Sequence, residues 1–465
     1  MKIMTTAEPT PLVIAVRYPR LYEALRTLLK ETLDLLRKEP VPPWPTRPIL
    51  KIVFDSANSS HSESATEEFP GDVLNGLQSQ LESLPSYRTA VDEIDSLLHS
   101  AERMPSFAPT SQGFVLPVLS RYLDIHRSVQ FDETAFQGAY GYVEDYLATD
   151  ALSVRLYFSL FGLGEHEDEI KLSDSHRIYK VNQAEARRVG RLTSLPGPRW
   201  PYSWPIAWPA PGTHLLEAIT RFPKRESGNL AKLLGDEEAR TTRALRLTGV
   251  GGSMQYLTYE DEGFSPFPFR FGLPATLKAL GGSTDLTATG LQKIKQRWTT
   301  AYELSSKLLK SPETVASHVR ISAVRFTNSF DKGLSEDKLI DYFIAFEALF
   351  TREDDAVSYR LPLRASIFSG DDAAERERIF RLLTVGYKLR SALAHGQDQL
   401  TQPIKVGGKK ISPREFIDDI HQILFNAVHR FVRCSKVSRK DEVIRAIEGT
   451  IVSQDRGTLE KLWAE

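Results

Sequence analysis

Apolar residues at helical spacing mark the first strong pattern in this sequence. In the segment RLYEALRTLLKETLDLLRK the leucines at positions 21, 25, 28, 29, 33 and 36 share one helical face. The prolines of EPVPPWPTRP then end the helix, because proline lacks an amide donor and clashes with the preceding turn. After them we expect a short strand at ILKIVFDS and a mobile polar loop at SANSSHSESATEE.

Residues from about 71 to 150 have mostly helical patterns, and a β-rich stretch follows them. Strands are predicted at SVRLYFSLFGL, HRIYKVN, ARRVGRL, RALRLTGV and MQYLTYE. The stretch GPRWPYSWPIAWPAPG has too many prolines for regular strand pairing, so we expect a long loop there. The run TGVGGS lacks the Gly-Lys-Ser/Thr ending of a phosphate loop, which favours a hairpin turn.

From about Gly290 the pattern changes to helices with clear start signals. SPET and SPRE place Ser311 and Ser412 as candidate caps, and Ser335 and Asp371 have similar positions. The predicted helices are 290–310, 312–329, 336–351, 357–369, 372–395 and 413–434.

These patterns predict an α+β protein. We expect a mostly helical N-terminal region with a short strand at 1–125, a β-rich sensor or regulatory region at 126–290, and an all-α helical bundle at 291–465. The length of 465 residues also favours several domains over one hydrophobic core.

Composition narrows the classes of function. The formal net charge of −1 argues against a protein-wide field that attracts nucleic acid, so any such contact must be local. Cys434 is the only cysteine, which excludes an intramolecular disulfide and a cysteine-based zinc site within one chain. The opening MKIMTTAEPTPLVIAVRYPR has an apolar run of only about six residues, so we expect no export signal, no membrane contact and a cytoplasmic protein.

The segment VGYKLRSALAHG holds the most distinctive chemistry. Arg390 and His395 lie off the apolar stripe of the predicted 372–395 helix, and Gly396 follows them as a helix-ending residue. Guanidinium matches phosphate oxygens in a fork, and imidazole moves protons near neutral pH. The alternative is structural: His395 caps the helix C-terminus and Arg390 forms a surface salt bridge.

Three segments together, LIDYFIAFEALF, YRLPLRASIFSG and YKLRSALAHG, resemble the ApeA-like branch of the HEPN superfamily in order and spacing, over about residues 290–435. The resemblance implies a metal-independent ribonuclease of defence or toxin systems, with Arg390 and His395 at its catalytic positions. Ser391 departs from the family pattern, because many active members have asparagine, aspartate or histidine there.

The function expected from this resemblance is an endoribonuclease of anti-phage defence (abortive infection) or of a toxin-like system. It would cleave RNA through the 2′-OH to a 2′,3′-cyclic phosphate, with no cofactor and no metal. Expected partners are RNA, a second copy of the chain bound through the helical domain, and a phage or host trigger sensed by the N-terminal region. The alternative, which Ser391 favours, is a non-catalytic dimerisation or RNA-binding module of a defence complex.

Two further residues are candidates for supporting roles. Glu347 lies on an apolar helical flank, where it orients Arg390 or a histidine, or else pairs with Arg360 or Arg364 for structural reasons. Tyr387 precedes Arg390 by about one turn, where it stacks on a base or simply packs.

Basic residues concentrate in the last quarter of the chain. The candidates for contact with the RNA backbone are Lys409, Lys410, Arg430 and Arg433. The alternative is a solvated basic face without a partner.

Overall fold

The structure is a computed structural model that describes most of the chain. The described residues are 16–38, 46–54, 60–68, 73–100, 112–160, 169–180, 214–223, 230–249, 253–261, 291–352, 356–396, 400–434, 439–453 and 455–464. Two of the sequence predictions, the strand ARRVGRL and the loop GPRWPYSWPIAWPAPG, lie outside these residues.

The N-terminal part is a group of helices with one hairpin. Its elements are α1 (Pro19–Lys38), β1 (Thr46–Phe54), β2 (Ser60–Glu68), α2 (Val73–Ser83), α3 (Pro85–Ser100), α4 (Gln112–His126) and α5 (Glu133–Ala148). The predicted first helix and first strand are confirmed. The predicted polar loop is wrong over residues 60–68, because this segment pairs with β1 through its backbone, which polar side chains do not prevent.

A hydrophobic core of its own holds the N-terminal helices together. It includes Leu25 and Leu28 of α1, Phe114 of α4 and Phe136 of α5, all fully buried. Because α5 belongs to this core, the helical unit continues past the division at residue 125 that the sequence predicts.

An antiparallel five-stranded sheet follows, in the order β4-β5-β6-β3-β7. The strands are β3 (Ala151–Leu160), β4 (Glu169–Lys171), β5 (His176–Lys180), β6 (His214–Pro223) and β7 (Ser253–Asp261). They confirm the strands predicted at SVRLYFSLFGL, HRIYKVN and MQYLTYE.

The strand predicted at RALRLTGV is wrong, because this segment ends helix α6 (Leu230–Thr248). Burial within α6 recurs with helical spacing at Leu234, Glu237, Thr241 and Leu245. The buried glutamate and threonine hide this period from a search for apolar residues alone. TGVGGS follows directly, and its residues 250–252 lie outside the described part of the chain.

The C-terminal part is helical and confirms the six predicted helical segments. Its elements are α7 (Leu291–Lys310), a 3-10 turn (Pro312–Thr314), α8 (Ser317–Ser329), α9 (Ser335–Phe350), α10 (Val357–Ser369), α11 (Ala373–Ala394), β8 (Ile404–Val406), β9 (Lys409–Ile411), α12 (Pro413–Cys434), α13 (Lys440–Ser453) and α14 (Gly457–Ala464). The β8–β9 hairpin, α13 and α14 are additions that the sequence patterns did not reveal.

The helix starts follow the predicted signals only in part. The Ser412 hydroxyl accepts the amide three residues on at 3.1 Å, which confirms its cap. Helix α11 is capped by Asp372 rather than by Asp371. Ser335 is already helical, and Ser311 precedes the 3-10 turn without a side-chain cap bond.

One hydrophobic core extends from the sheet into the C-terminal helices. It includes Phe158 of β3, Leu245 of α6, Trp298 of α7, Phe346 of α9 and Phe431 of α12. The sheet and the helices after residue 291 therefore share buried surface rather than forming two separately packed layers.

Helices α9 and α11 approach closely at Gly386. A Cβ atom at this position would lie 2.7 Å from the ring of Phe343 and 3.3 Å from the ring of Phe416. Both rings are fully buried and have no space into which to move. Glycine at this position therefore sets the spacing of the two helices.

We predict that Gly386→Ala destabilises the protein by about 1–3 kcal/mol, although alanine is the better helix former. Urea unfolding followed by circular dichroism measures the change. The matched control is Gly449→Ala in α13, where an added Cβ meets nothing within 4 Å, and this variant should be neutral or slightly more stable. Equal stability of the two variants would contradict the steric argument.

A second prediction concerns pH. His318 of α8 is buried, its Nε2 has no hydrogen-bond partner among the described residues, and its ring meets Phe431 edge-on at 5.8 Å. Burial, helped by Lys440 and opposed by Asp441, lowers the pKa of His318 to about 4. The unfolded chain binds this proton near pH 6.5, so stability is lost as the pH falls from about 6.5 toward 4.

The variant His318→Leu removes this titration and should lose less stability than the wild type between about pH 7 and about pH 5. Unfolding midpoints at both pH values measure the difference. An unchanged pH dependence would show that His318 is not buried in its neutral form.

Candidate functional site

Helix α11 carries the Arg390 and His395 pair at its C-terminal end. The helix starts at Asp372, whose carboxylate accepts the amide of Glu375 at 2.8 Å. It ends at His395, whose amide donates to the carbonyls of Ser391 and Ala392. Gly396 then takes a φ of +71°, a left-handed conformation that favours glycine and turns the chain away. The local sequence thus places His395 in the last turn, as predicted.

Arg390 pairs with Glu347 of the neighbouring helix α9. Its Nη2 lies 3.4 Å from Oε2 of Glu347, and the two side chains are 24% and 27% exposed. Burial raises the pKa of the Glu347 carboxyl, and the positive charge of Arg390 opposes this shift. The Nε of Arg390 is buried and has no hydrogen-bond partner among the described residues. Glu347 therefore holds one side of a guanidinium that keeps unused donors.

The structural alternative for Glu347 was a pairing with Arg364 or Arg360. Arg364 is 1% exposed and donates instead to the carbonyl of Phe350 at 2.7 Å and to Glu448 at 2.6 Å. Its guanidinium ties the end of α9 to α13. Arg364 is thus bound elsewhere, whereas Arg390 lies within ion-pair distance of Glu347.

Tyr387 packs against the core, which is one of the two roles that the sequence left open. Its ring meets Phe343 edge-on at 5.9 Å, which is core packing. The guanidinium carbon of Arg390 lies 6.0 Å from the centre of the same ring, at the outer limit of a cation–π contact. Tyr387 therefore forms one wall beside Arg390 and remains half-buried.

His395 is exposed and separate from Arg390. No hydrogen bond or ion pair of its imidazole occurs among the described residues. Five residues on a helix correspond to about 500° of rotation, so the two Cα–Cβ directions differ by about 140°. Ser391 is half-buried beside them. No hydrogen bond joins the side chains of Arg390 and His395 in the described residues.

The four candidate RNA-contacting residues differ in their surroundings. Lys409 and Lys410 are exposed on β9, and Arg433 is exposed in the last turn of α12. Arg430 instead donates to the carbonyls of Phe368 and Ser369 and to Asp371, at 2.6, 3.0 and 2.7 Å. Arg430 thus ties α12 to the end of α10, and its donors are turned away from a ligand.

A buried polar cluster where the sheet meets α6 and α7 was missed by sequence reasoning. Glu237, 3% exposed, accepts from Tyr302 at 2.7 Å and Arg240 at 2.6 Å, and lies 3.6 Å from His176 Nε2. Burial acts to raise the pKa of Glu237, but His176, Tyr302 and Arg240 together bring it below the usual value. The available signal was a charged residue at a buried position of the α6 period.

Metal-binding groups and membrane-spanning helices are both absent from the described residues. No group of three or more His, Cys, Asp or Glu residues has an arrangement suited to a metal ion. Within the same part of the chain, every helix is too short or too polar to cross a lipid bilayer.

Comparison with known proteins adds no further constraint on this site. Neither a protein-family model, nor a curated protein, nor a solved structure matches the chain. The resemblance to ApeA-like HEPN proteins therefore rests on the segments LIDYFIAFEALF, YRLPLRASIFSG and YKLRSALAHG.

Proposed function

We propose that the C-terminal helical region is a metal-independent endoribonuclease in which Arg390 and His395 act on an RNA phosphate. The observation that carries the proposal is the end of α11. There an arginine anchored by Glu347 keeps unused donors, and an exposed histidine follows five residues later. Guanidinium and imidazole are the groups that phosphate binding and proton transfer near neutral pH require.

In this mechanism His395 removes the proton of the ribose 2′-OH. The freed oxygen attacks the adjacent phosphorus, the bond from phosphorus to the 5′-oxygen breaks, and the departing oxygen takes a proton from an acid. The products are a 2′,3′-cyclic phosphate and a 5′-hydroxyl. Arg390 stabilises the negative charge that grows on the phosphate oxygens.

The active unit in this proposal is a two-fold dimer formed through the helical region. The reaction needs both a base and an acid, whereas each chain has one histidine in the motif. On an ideal helix, the Cα–Cβ directions of two residues spaced like Arg390 and His395 also differ by about 140°. A symmetric contact between two α11 ends would bring Arg390 close to the partner subunit's His395 and would supply two histidines to one cleft.

The biological setting we propose is anti-phage defence by abortive infection, or a toxin-like system, with RNA as substrate. The residues before 291 would then sense a phage or host trigger. The shared core of the sheet and the C-terminal helices supports such a connection, because a change in the sheet would alter the packing of α6 and α7.

A non-catalytic RNA-binding or dimerisation module is the second candidate. Ser391, beside Arg390, is the observation that favours it, because many active members of the resembled family have asparagine, aspartate or histidine at this position. Activity measurements separate the two candidates.

We predict that Arg390→Ala and His395→Ala each lower RNA cleavage by at least about 100-fold, since each removes a group that acts on the reacting phosphate. The assay compares variants at equal concentrations of folded protein. Arg445→Ala is the control, because Arg445 is an exposed arginine on α13. Equal cleavage by all four proteins would refute the catalytic role, and absence of cleavage by the wild type would favour the binding module.

A further prediction tests the reaction chemistry. Cleavage should persist in EDTA and should be absent on DNA and on RNA with a 2′-O-methyl group at the cut site, because the nucleophile is the ribose hydroxyl. Mass spectrometry of the products should detect a 2′,3′-cyclic phosphate. Loss of activity in EDTA with recovery in magnesium, or equal cleavage of DNA, would contradict this mechanism.

A further inference from the structure

The solvent face of α11 carries a row of positive or ionisable side chains that ends at His395. Arg381, Lys388 and His395 are spaced by seven residues, and all three are exposed. Seven residues complete almost two helical turns, so the three side chains lie along one face. At a rise of 1.5 Å per residue, the row from Arg381 to His395 is about 21 Å long. The row therefore leads along the helix to the proposed base.

The β8–β9 hairpin meets the start of this row. Its turn residues Gly407 and Gly408 have φ values of +56° and +87°, which favour glycine. A Cβ atom on Gly407 would lie 2.8 Å from Nη1 and 3.3 Å from Cδ of Arg381. The hairpin turn is thus held directly against Arg381, at the start of the row.

Two lysines of the hairpin are direct cross-strand neighbours. Lys405 of β8 pairs with Lys410 of β9, and both are exposed. Cross-strand partners project from the same side of a hairpin, and like charges in this position destabilise it. No acidic partner of Lys405, Lys410 or Lys388 occurs among the described residues. A bound anion would relieve this repulsion.

In the described part of the chain, acidic residues pair with this face at its N-terminal end. Arg381 forms an ion pair with Glu377 one turn earlier, and Arg378 lies 3.1 Å from Asp419 of α12. Lys388 and the hairpin lysines have no such pairing in the described residues, so the uncompensated charge lies between the hairpin and His395. This distribution suits a chain of phosphates that runs toward the site.

We propose that Lys405, Lys410 and Lys388 bind the phosphate backbone of single-stranded RNA and lead it to His395. The inference rests on the proposed function for its substrate. The path of about 21 Å from Arg381 beside the hairpin to His395 matches one strand of about six stacked nucleotides, at about 3.4 Å per nucleotide. A single strand also leaves the ribose free to adopt the geometry of attack, which a paired helix restrains.

The test is RNA binding by the full chain with His395→Ala, which removes cleavage. The probe is a fluorescein-labelled, unstructured 12-nucleotide RNA, and anisotropy is measured over a range of salt concentrations. Adding Lys388→Gln, Lys405→Gln and Lys410→Gln should weaken binding at least about tenfold. The negative slope of log affinity against log salt concentration should also become shallower by about 2, since each phosphate contact to a single strand contributes about 0.7 to its magnitude.

The matched control carries Lys295→Gln, Lys307→Gln and Lys310→Gln, three exposed lysines of α7 that give the same change in net charge. Retained affinity in this control and loss in the first triple variant support the path. Equal loss in both triple variants, no loss in either, or tighter binding of duplex RNA would overturn it. If RNA binding depends on the three lysines but the wild type does not cleave RNA, the proposed RNA path is supported and the catalytic proposal is refuted.

Discussion

The contact between Gly386 and Phe343 is the constraint on which the candidate site depends. A hydrogen in place of a side chain at Gly386 lets a buried ring of α9 press against the backbone of α11. One turn further along each helix, Arg390 meets Glu347. Residues four apart share a helical face, so the packing contact fixes the register that pairs the two charges. The electrostatics of the site therefore follow from a steric fit in the core.

Arg390 differs from two other arginines of the helical region, Arg364 and Arg430, in how many of its donors are bonded. Arg364 and Arg430 donate to carbonyls at helix ends and to an acidic side chain each, so their charge is consumed in joining helices. Arg390 has a single acidic partner at 3.4 Å and a buried Nε without one among the described residues. An incompletely satisfied guanidinium in a packed region costs stability.

Local sequence signals predicted the elements well and their mutual contacts poorly. Apolar periods and proline or glycine boundaries identified α1, the main strands and the helices after residue 291, since these signals act within a few residues. RALRLTGV was misassigned because Glu237 and Thr241 occupy buried positions of its helix. For Glu347 the sequence left Arg390, a histidine, Arg360 and Arg364 open as partners, because the choice depends on the register between two helices, which no local pattern contains.

The Glu237 cluster connects the five-stranded sheet to helices α6 and α7. Tyr302 of α7 and Arg240 of α6 meet on one carboxylate, and His176 of β5 packs against Trp298 at 5.0 Å. A buried charge with several partners has few alternative arrangements, because each lost bond leaves an uncompensated group in the core. The sheet cannot shift against α6 and α7 without breaking this cluster. Since α7 belongs to the same core as α9, the described strands of the sheet and the helices that carry Glu347 and Arg390 pack as one unit rather than as two independent ones.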